Sequence, residues 1–238
     1  MTGDIETSYV DVNGLNAYLA RPVGGSRAGM LFLPMITGIG AQIREWADEL
    51  AGRGITVLSW DQWRGRPSTD ETPFEDVMKW GSELVDSESL AEQHTLLDHL
   101  FGELGCEKAG VMGWCMGGRL ALILGANEPR LANVVAYHPT VPLPTPPNHT
   151  IDAVAATANV AAPVMMLYPG SDELVPMESF HNLRDALESR ESAASIVHLY
   201  PGAKHGFTAS FRHDDPLNKA AFDVSWPQVL AFIDATTR

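Results

Sequence analysis

Cys115 sits in the hexapeptide Gly113-Trp114-Cys115-Met116-Gly117-Gly118, between an apolar run and an Ala/Leu-rich stretch. Such a segment forms a sharp strand-to-helix turn that lifts a nucleophile out of a parallel sheet, here with cysteine where serine usually stands. Gly113 and Gly117 flank the thiol where strand and helix nearly collide, and a Cβ at either position would clash. A thiol nucleophile needs a base, and the base needs an orienting acceptor. Asp172 follows the apolar run Pro163–Tyr168, in a glycine-containing turn ahead of a helical pattern. His205 follows the run Ile196–Tyr200, between Gly202 and Gly206. Nucleophile, acid and histidine come in the order of the α/β-hydrolase fold, each at the carboxyl end of its own strand. The chemistry that follows is covalent acyl transfer: His205 takes the thiol proton, the thiolate attacks a carbonyl, and water releases the acid.

The elements that must position these groups alternate between two periodicities. Apolar runs at 28–34, 55–60, 109–112, 131–137, 164–168 and 196–200 read as buried strands. Helical spacings occupy 41–52, with Ile43, Trp46, Ala47 and Leu50 on one face, and 87–104, 115–127, 177–190 and 217–236. This alternation predicts an α/β fold with a mostly parallel central sheet and helices on both faces. Around Asn13-Gly14 the pattern changes to an antiparallel hairpin at the edge of the sheet. With no internal repeat or linker, residues 1–238 read as a single domain. The proline-rich stretch from His138 to Asn148 forms either a roof over the site or a surface connection.

Composition narrows the functions available. A net charge of −14 over 238 residues argues against nucleic acid or an anionic membrane surface as partner. Cys106 and Cys115 read as reduced thiols, and the N-terminal segment lacks the basic and apolar regions of a signal peptide, so a cytoplasmic location is expected. No apolar run reaches the ~18–20 residues needed to span a bilayer. His94 and His99 do not share a helix face as zinc ligands would, and His213-Asp214-Asp215 reads as a loop opening the last helix, so no metal is expected.

The nucleophile motif, Pro169-Gly170-Ser171-Asp172 with its trailing Glu173-Leu174-Val175-Pro176, and His205-Gly206-Phe207 together resemble the dienelactone hydrolase family. These are cysteine-dependent α/β-hydrolases of esters and lactones, and the resemblance runs from about residue 28 to the C-terminus. It implies Cys115 as nucleophile, His205 as general base and acid, Asp172 as orienting carboxylate, and no cofactor. It also implies oxyanion-hole amides at Met116 and at Ile36, within Pro34-Met35-Ile36-Thr37-Gly38. Dienelactone hydrolases proper carry a glutamate that pairs with the resting thiol; Met35 stands at the matching position and cannot accept a proton. A simpler Cys–His pair is therefore expected. The arginines that clamp the dienelactone carboxylate find no match, and Ala209 is apolar near where one would fall. The expected substrate is a small neutral ester or lactone.

Around the site, Trp114 is expected to line a substrate pocket beside the nucleophile, together with Met35. Trp63 and Phe207 either join that pocket or pack in the core, and His138 either lines it or is structural. Arg64 and Arg66 either meet an anionic substrate or are surface charges. Arg119 should make a structural salt bridge, and Cys106 should be an inert thiol. Loops 35–42, 61–80 and 138–160 would carry specificity. Oligomeric state has no signature in the sequence. Two other functions remain open: a non-catalytic ligand-binding protein on the same fold, for which Met35 is the motive, and an acyltransferase using an acceptor other than water.

Overall fold

In the computed structural model, which describes residues 3–66, 72–191 and 193–238, the chain starts as a hairpin. Strands β1 (Ile5–Val12) and β2 (Leu15–Pro22) pair antiparallel. Asn13 and Gly14 turn between them with φ of 54° and 86°, the left-handed geometry this dipeptide tolerates. Then follow β3 (Ala28–Leu33), α1 (Ala41–Gly52), β4 (Thr56–Trp60), α2 (Phe74–Glu83), α3 (Asp86–Phe101) and β5 (Lys108–Trp114). The second half runs α4 (Met116–Asn127), β6 (Leu131–Tyr137), α5 (Ala153–Ala158), β7 (Val164–Pro169), α6 (Met177–Glu188), β8 (Ser195–Tyr200) and α7 (Pro216–Thr237).

The eight strands form one sheet in the order β1-β2-β4-β3-β5-β6-β7-β8. From β4 to β8 every neighbouring pair is parallel, and only the N-terminal hairpin and its junction with β4 are antiparallel. Strands β3, β4 and β7 are buried along their whole length, which is why they read as unbroken apolar runs. One face packs α3, α4, α5 and α6 through Leu96, Leu97, Leu122, Ile123, Phe180 and Leu183. The other packs α1 and α7 through Ile43, Trp46, Leu50, Trp226, Val229 and Ile233. Each large apolar side chain buried this way contributes roughly 1.5–3 kcal/mol.

From β3 the chain winds outward to β4 and then returns to place β5 on the other side of β3. This reversal opens a crevice beyond the carboxyl ends of β3 and β5, where ligands bind in open α/β sheets. The loops carrying Ile36 and Cys115 flank it.

Two helices lie inside segments expected to be loops. Helix α2 occupies part of 61–80, where residues 67–71 lie outside the described residues, as do Met1 and Thr2 of the acidic N-terminal segment. Phe74, Val77 and Met78 stand at helical spacing, but only Val77 is buried and Phe74 and Met78 stay exposed, so the stripe does not enter the core. Helix α5 is six residues long, too short for periodicity to declare. Its one local signal is Asp152, whose carboxylate accepts from the amides of Val154 and Ala155 at 2.9 and 3.1 Å.

Candidate active site

Between β5 and α4 the backbone of Cys115 adopts φ 56° and ψ −117°, a conformation L-residues rarely hold. The surroundings enforce it. Its amide donates to the Tyr137 carbonyl at 3.0 Å, and its carbonyl accepts from the amides of Thr140 at 3.0 Å and Arg119 at 3.1 Å. A Cβ on Gly117 would stand 1.9 Å from the Leu33 carbonyl oxygen, and one on Gly113 2.1 Å from that of Gly117. The glycines therefore allow the start of α4 to abut the end of β3, the close approach expected of this motif.

Cys115, His205 and Asp172 are brought into one hydrogen-bonded chain. His205 Nε2 lies 3.1 Å from Cys115 Sγ, and His205 Nδ1 donates to Asp172 Oδ2 at 2.8 Å. The other Asp172 oxygen accepts from the amides of Leu174 and Val175 at 2.8 and 3.0 Å, which fixes the carboxylate in its turn. The Asp172 side chain is fully buried and that of His205 nearly so.

The electrostatics follow from this geometry. Burial would lower the His205 imidazolium, but the Asp172 carboxylate and the Cys115 sulfur outweigh it and hold the group at about 10. Burial would raise the Cys115 thiol, yet hydrogen bonding and charge from His205, then the Thr140 hydroxyl and the Met116 amide, bring it below its ordinary value. The pair can therefore rest as thiolate and imidazolium. Thr140 joins the site without a motif in the sequence: its hydroxyl donates to Cys115 Sγ at 3.1 Å and lies 3.4 Å from His205 Nε2. Only its place just past the end of β6, beside β5, could have pointed to it.

On the other side of the crevice, Met35–Gly38 form a turn closed by the Gly38 amide on the Met35 carbonyl at 2.9 Å, with Ile36 at its first corner. That carbonyl also accepts from Gln62 Nε2 at 2.8 Å, which ties the loop to the end of β4. The half-buried Met35 side chain packs against the core on the α1/α7 face.

The expected aromatic pocket requires correction. Trp114 is completely buried and stacks on Trp46 of α1 with ring centroids 4.8 Å apart, so its indole belongs to the core on the α1/α7 face. Phe207 is likewise fully buried, against Tyr137, His138 and Tyr200. His138 is buried behind His205, with ring centroids 5.0 Å apart and Nε2 on the Thr208 hydroxyl at 3.1 Å. Burial and the neighbouring His205 keep His138 well below the usual histidine range, hence neutral. Trp63 lines a shallow cleft with Gln62, Arg64, Arg66, Trp80, Glu83 and Leu84. None of the three hydrogen-bonded residues lines that cleft, whose Gln62 donates to the Met35 carbonyl; the chemistry centres on the sulfur.

The remaining charged groups have structural partners. Arg64 pairs with Glu88 and Glu92, and Arg66 with Glu83. Arg119 makes the expected salt bridge, a buried two-pronged contact with Asp86 at 2.8 and 2.6 Å. His94 faces Glu128 at 3.3 Å, and Asp215 caps α7 by accepting from the Leu217 amide. Among the described residues no group of three or more His, Cys, Asp or Glu side chains could hold a metal ion. Burial pushes the Cys106 thiol up to about 11, which leaves it unreactive at neutral pH. No helix among the described residues is long and apolar enough to cross a membrane.

Known proteins match this architecture. A Salmonella typhi protein named "Putative carboxymethylenebutenolidase" is 30% identical over 207 residues, covering 82% of this chain and 74% of its own. A Bradyrhizobium protein named "Probable 2-oxo-3-(5-oxofuran-2-ylidene)propanoate lactonase" is 24% identical over 98% of this chain and 95% of its own. The solved structure of a "Putative Dienelactone Hydrolase" from Klebsiella pneumoniae superposes with a TM-score of 0.85 at 22% identity, over 98% of this chain and 99% of that one. The dienelactone hydrolase family model matches residues 15–237. The chain thus belongs to the dienelactone hydrolase family, hydrolases of the ester and lactone type.

Proposed function

We propose that the protein hydrolyses small neutral carboxylic esters or lactones through an acyl-thioester on Cys115, with His205 as general base and acid and Asp172 as its orienting carboxylate. The observation that carries this reading is the unbroken chain from Cys115 Sγ to His205 at 3.1 Å and on to Asp172 at 2.8 Å. In the resting ion pair the thiol proton already sits on His205. The sulfur attacks the carbonyl and a C–S bond forms, while the oxyanion is held by the amides of Met116 and Ile36. Each such donor stabilises the transition state by about 2.7–4 kcal/mol. The C–O bond then breaks and the leaving alkoxide takes the proton from Nε2. Water attacks the thioester, giving its proton back to His205; the C–S bond breaks and the acid departs. No step requires a cofactor.

The neutrality of the substrate is supported by the partners of the nearby arginines. Arg64 and Arg66 are occupied by glutamates, and Ala209 is a buried apolar residue. The 238 residues act as one domain on a small-molecule substrate; the charge of −14 argues against nucleic acid as a partner, and reduced thiols suit the cytoplasm. A panel of esters, lactones and thioesters varied in charge tests the proposal against wild type and Cys115→Ala. The wild type should favour neutral substrates, the variant should be inactive, and an acyl adduct should appear on Cys115 by mass spectrometry. Full activity in Cys115→Ala would refute the mechanism. Transfer to added alcohol in preference to water would make the protein an acyltransferase, and inertness to the whole panel would leave a ligand-binding protein.

A further inference from the structure

We propose that the Thr140 hydroxyl holds Cys115 as a thiolate in the resting protein, so that the nucleophile is ionised before substrate arrives and no carboxylate in the loop after β3 is needed. The consequence for catalysis rests on the function proposed above; the ionisation of the thiol does not.

Thr140 is bound to residue 115 twice, through its hydroxyl on Sγ at 3.1 Å and its amide on the carbonyl at 3.0 Å. The adjoining Tyr137 carbonyl takes the Cys115 amide at 3.0 Å. The position of the hydroxyl is thus set by backbone hydrogen bonds just beyond the paired ends of β5 and β6, at the start of the proline-rich stretch. Its one hydrogen has two acceptors within reach, Sγ at 3.1 Å and His205 Nε2 at 3.4 Å. Once Nε2 carries a proton it can no longer accept, and the hydrogen goes to sulfur. A neutral thiol is a weak acceptor and a thiolate a strong one, so this bond favours the charged form.

The other charged and titratable groups around the sulfur act in the same sense or stay neutral. His205, backed by Asp172, is a cation at the thiolate. His138 lies behind His205 and is neutral, and Arg212 is positioned beside Gly206 in the histidine loop. From the loop after β3, Met35 brings no charge that would repel the thiolate or take its proton. Thr140 therefore supplies a hydrogen where a carboxylate could only have accepted one.

The test compares wild type with Thr140→Val, which keeps the shape and loses the hydroxyl, and Thr140→Ser, which keeps the hydroxyl. Two readouts follow the sulfur: ultraviolet thiolate absorbance against pH, and the iodoacetamide alkylation rate of Cys115 with buried Cys106 as internal control. Thr140→Val should move both midpoints up by about one pH unit. Thr140→Ser should return them to the wild-type position, and the acid limb of kcat/KM should shift in parallel. A wild-type midpoint in folded Thr140→Val, or a Thr140→Ser variant shifted as far as the valine one, would overturn the proposal. If the midpoints shift as expected while no form hydrolyses any ester, the ionisation role stands and the hydrolase mechanism falls.

Discussion

Asp172 holds His205 with one oxygen only: Oδ2 takes the Nδ1 proton at 2.8 Å while Oδ1 is occupied by the amides of Leu174 and Val175. This division of labour predicts the effect of Asp172→Asn. The asparagine oxygen would stay with the two amides, since a buried N–H left without an acceptor is costly. Its NH₂ would then face Nδ1, which must become an acceptor, and the imidazole proton would move to Nε2, facing the sulfur. A neutral histidine in that tautomer cannot take the thiol proton. We expect kcat/KM to fall on the order of 10²–10⁴-fold with little change in Tm, measured by ester hydrolysis and thermal unfolding.

The thiolate–imidazolium pair also sets a pH window for stability. His205 is raised in the folded state, so its contribution is complete below pH ~6.5 and is lost as pH rises through about 10. Cys115 is depressed, so its contribution is present above pH ~8.5 and is lost as pH falls through its lowered value. Between the lowered Cys115 value and about 10 the folded pair keeps one proton. The unfolded side chains bind two below pH ~6.5, one in the middle range and none above ~8.5. The pair's contribution should therefore be lost on the acid side as pH falls through the lowered Cys115 value, and decline on the alkaline side from ~8.5 toward 10. Urea unfolding of wild type against Cys115→Ala across this range checks it, and kcat/KM should show its alkaline limb near the same upper value.

Backbone contact at the nucleophile turn makes Gly117 less replaceable than Gly125 one helix face away. A methyl on Gly117 would meet the Leu33 carbonyl at 1.9 Å and that of Pro34 at 2.6 Å, and neither can yield without parting α4 from β3. A methyl on Gly125 would first meet Val134 Cγ2 at 2.7 Å, a side-chain atom. Gly117→Ala should destabilise by more than about 4 kcal/mol, against roughly 1–3 kcal/mol for Gly125→Ala. Denaturant midpoints of the two variants measure the difference.

The legible parts of the molecule were those in which local sequence and tertiary role coincide. Parallel strands buried on both faces read as apolar runs, so β3 to β7 are visible, the half-exposed edge strand β8 shows by its apolar residues alone, and Cys115, Asp172 and His205 each stand just beyond a strand, beside glycines. Thr140 was invisible because its contact with Cys115 is made just beyond the paired ends of β5 and β6, across 25 residues of sequence. Trp114 was misplaced for the opposite reason: adjacency in sequence suggested adjacency in the site. A strand sends successive side chains to opposite faces, and Trp114 points to Trp46 while the chain turns away at Cys115. Helix α2 carries a short stripe, Phe74, Val77 and Met78, of which the fold buries only Val77.

Arg119, four residues beyond the nucleophile, acts on the site through the frame that surrounds it. Its guanidinium and the Asp86 carboxylate are both almost fully buried, and Asp86 Oδ2 also accepts from the Ile151 amide at 2.9 Å. Burial would raise the Asp86 carboxyl, but the hydrogen bonds and charge of Arg119 keep it below its ordinary value. The pair thus joins α4, the start of α3 and the end of the segment that leads from Thr140 to α5. Arg119→Met would leave a buried carboxylate with only an amide for a partner, at a cost of about 3–5 kcal/mol. Asp86→Asn together with Arg119→Met removes both charges and should recover part of that loss. The depressed Asp86 contributes stability above pH ~3.9 that is lost as pH falls through its lowered value, so Arg119→Met should also unfold at a higher pH on acidification than wild type. Acid titration followed by circular dichroism measures this, and coincident acid transitions in the two proteins would exclude a stabilising role for the pair.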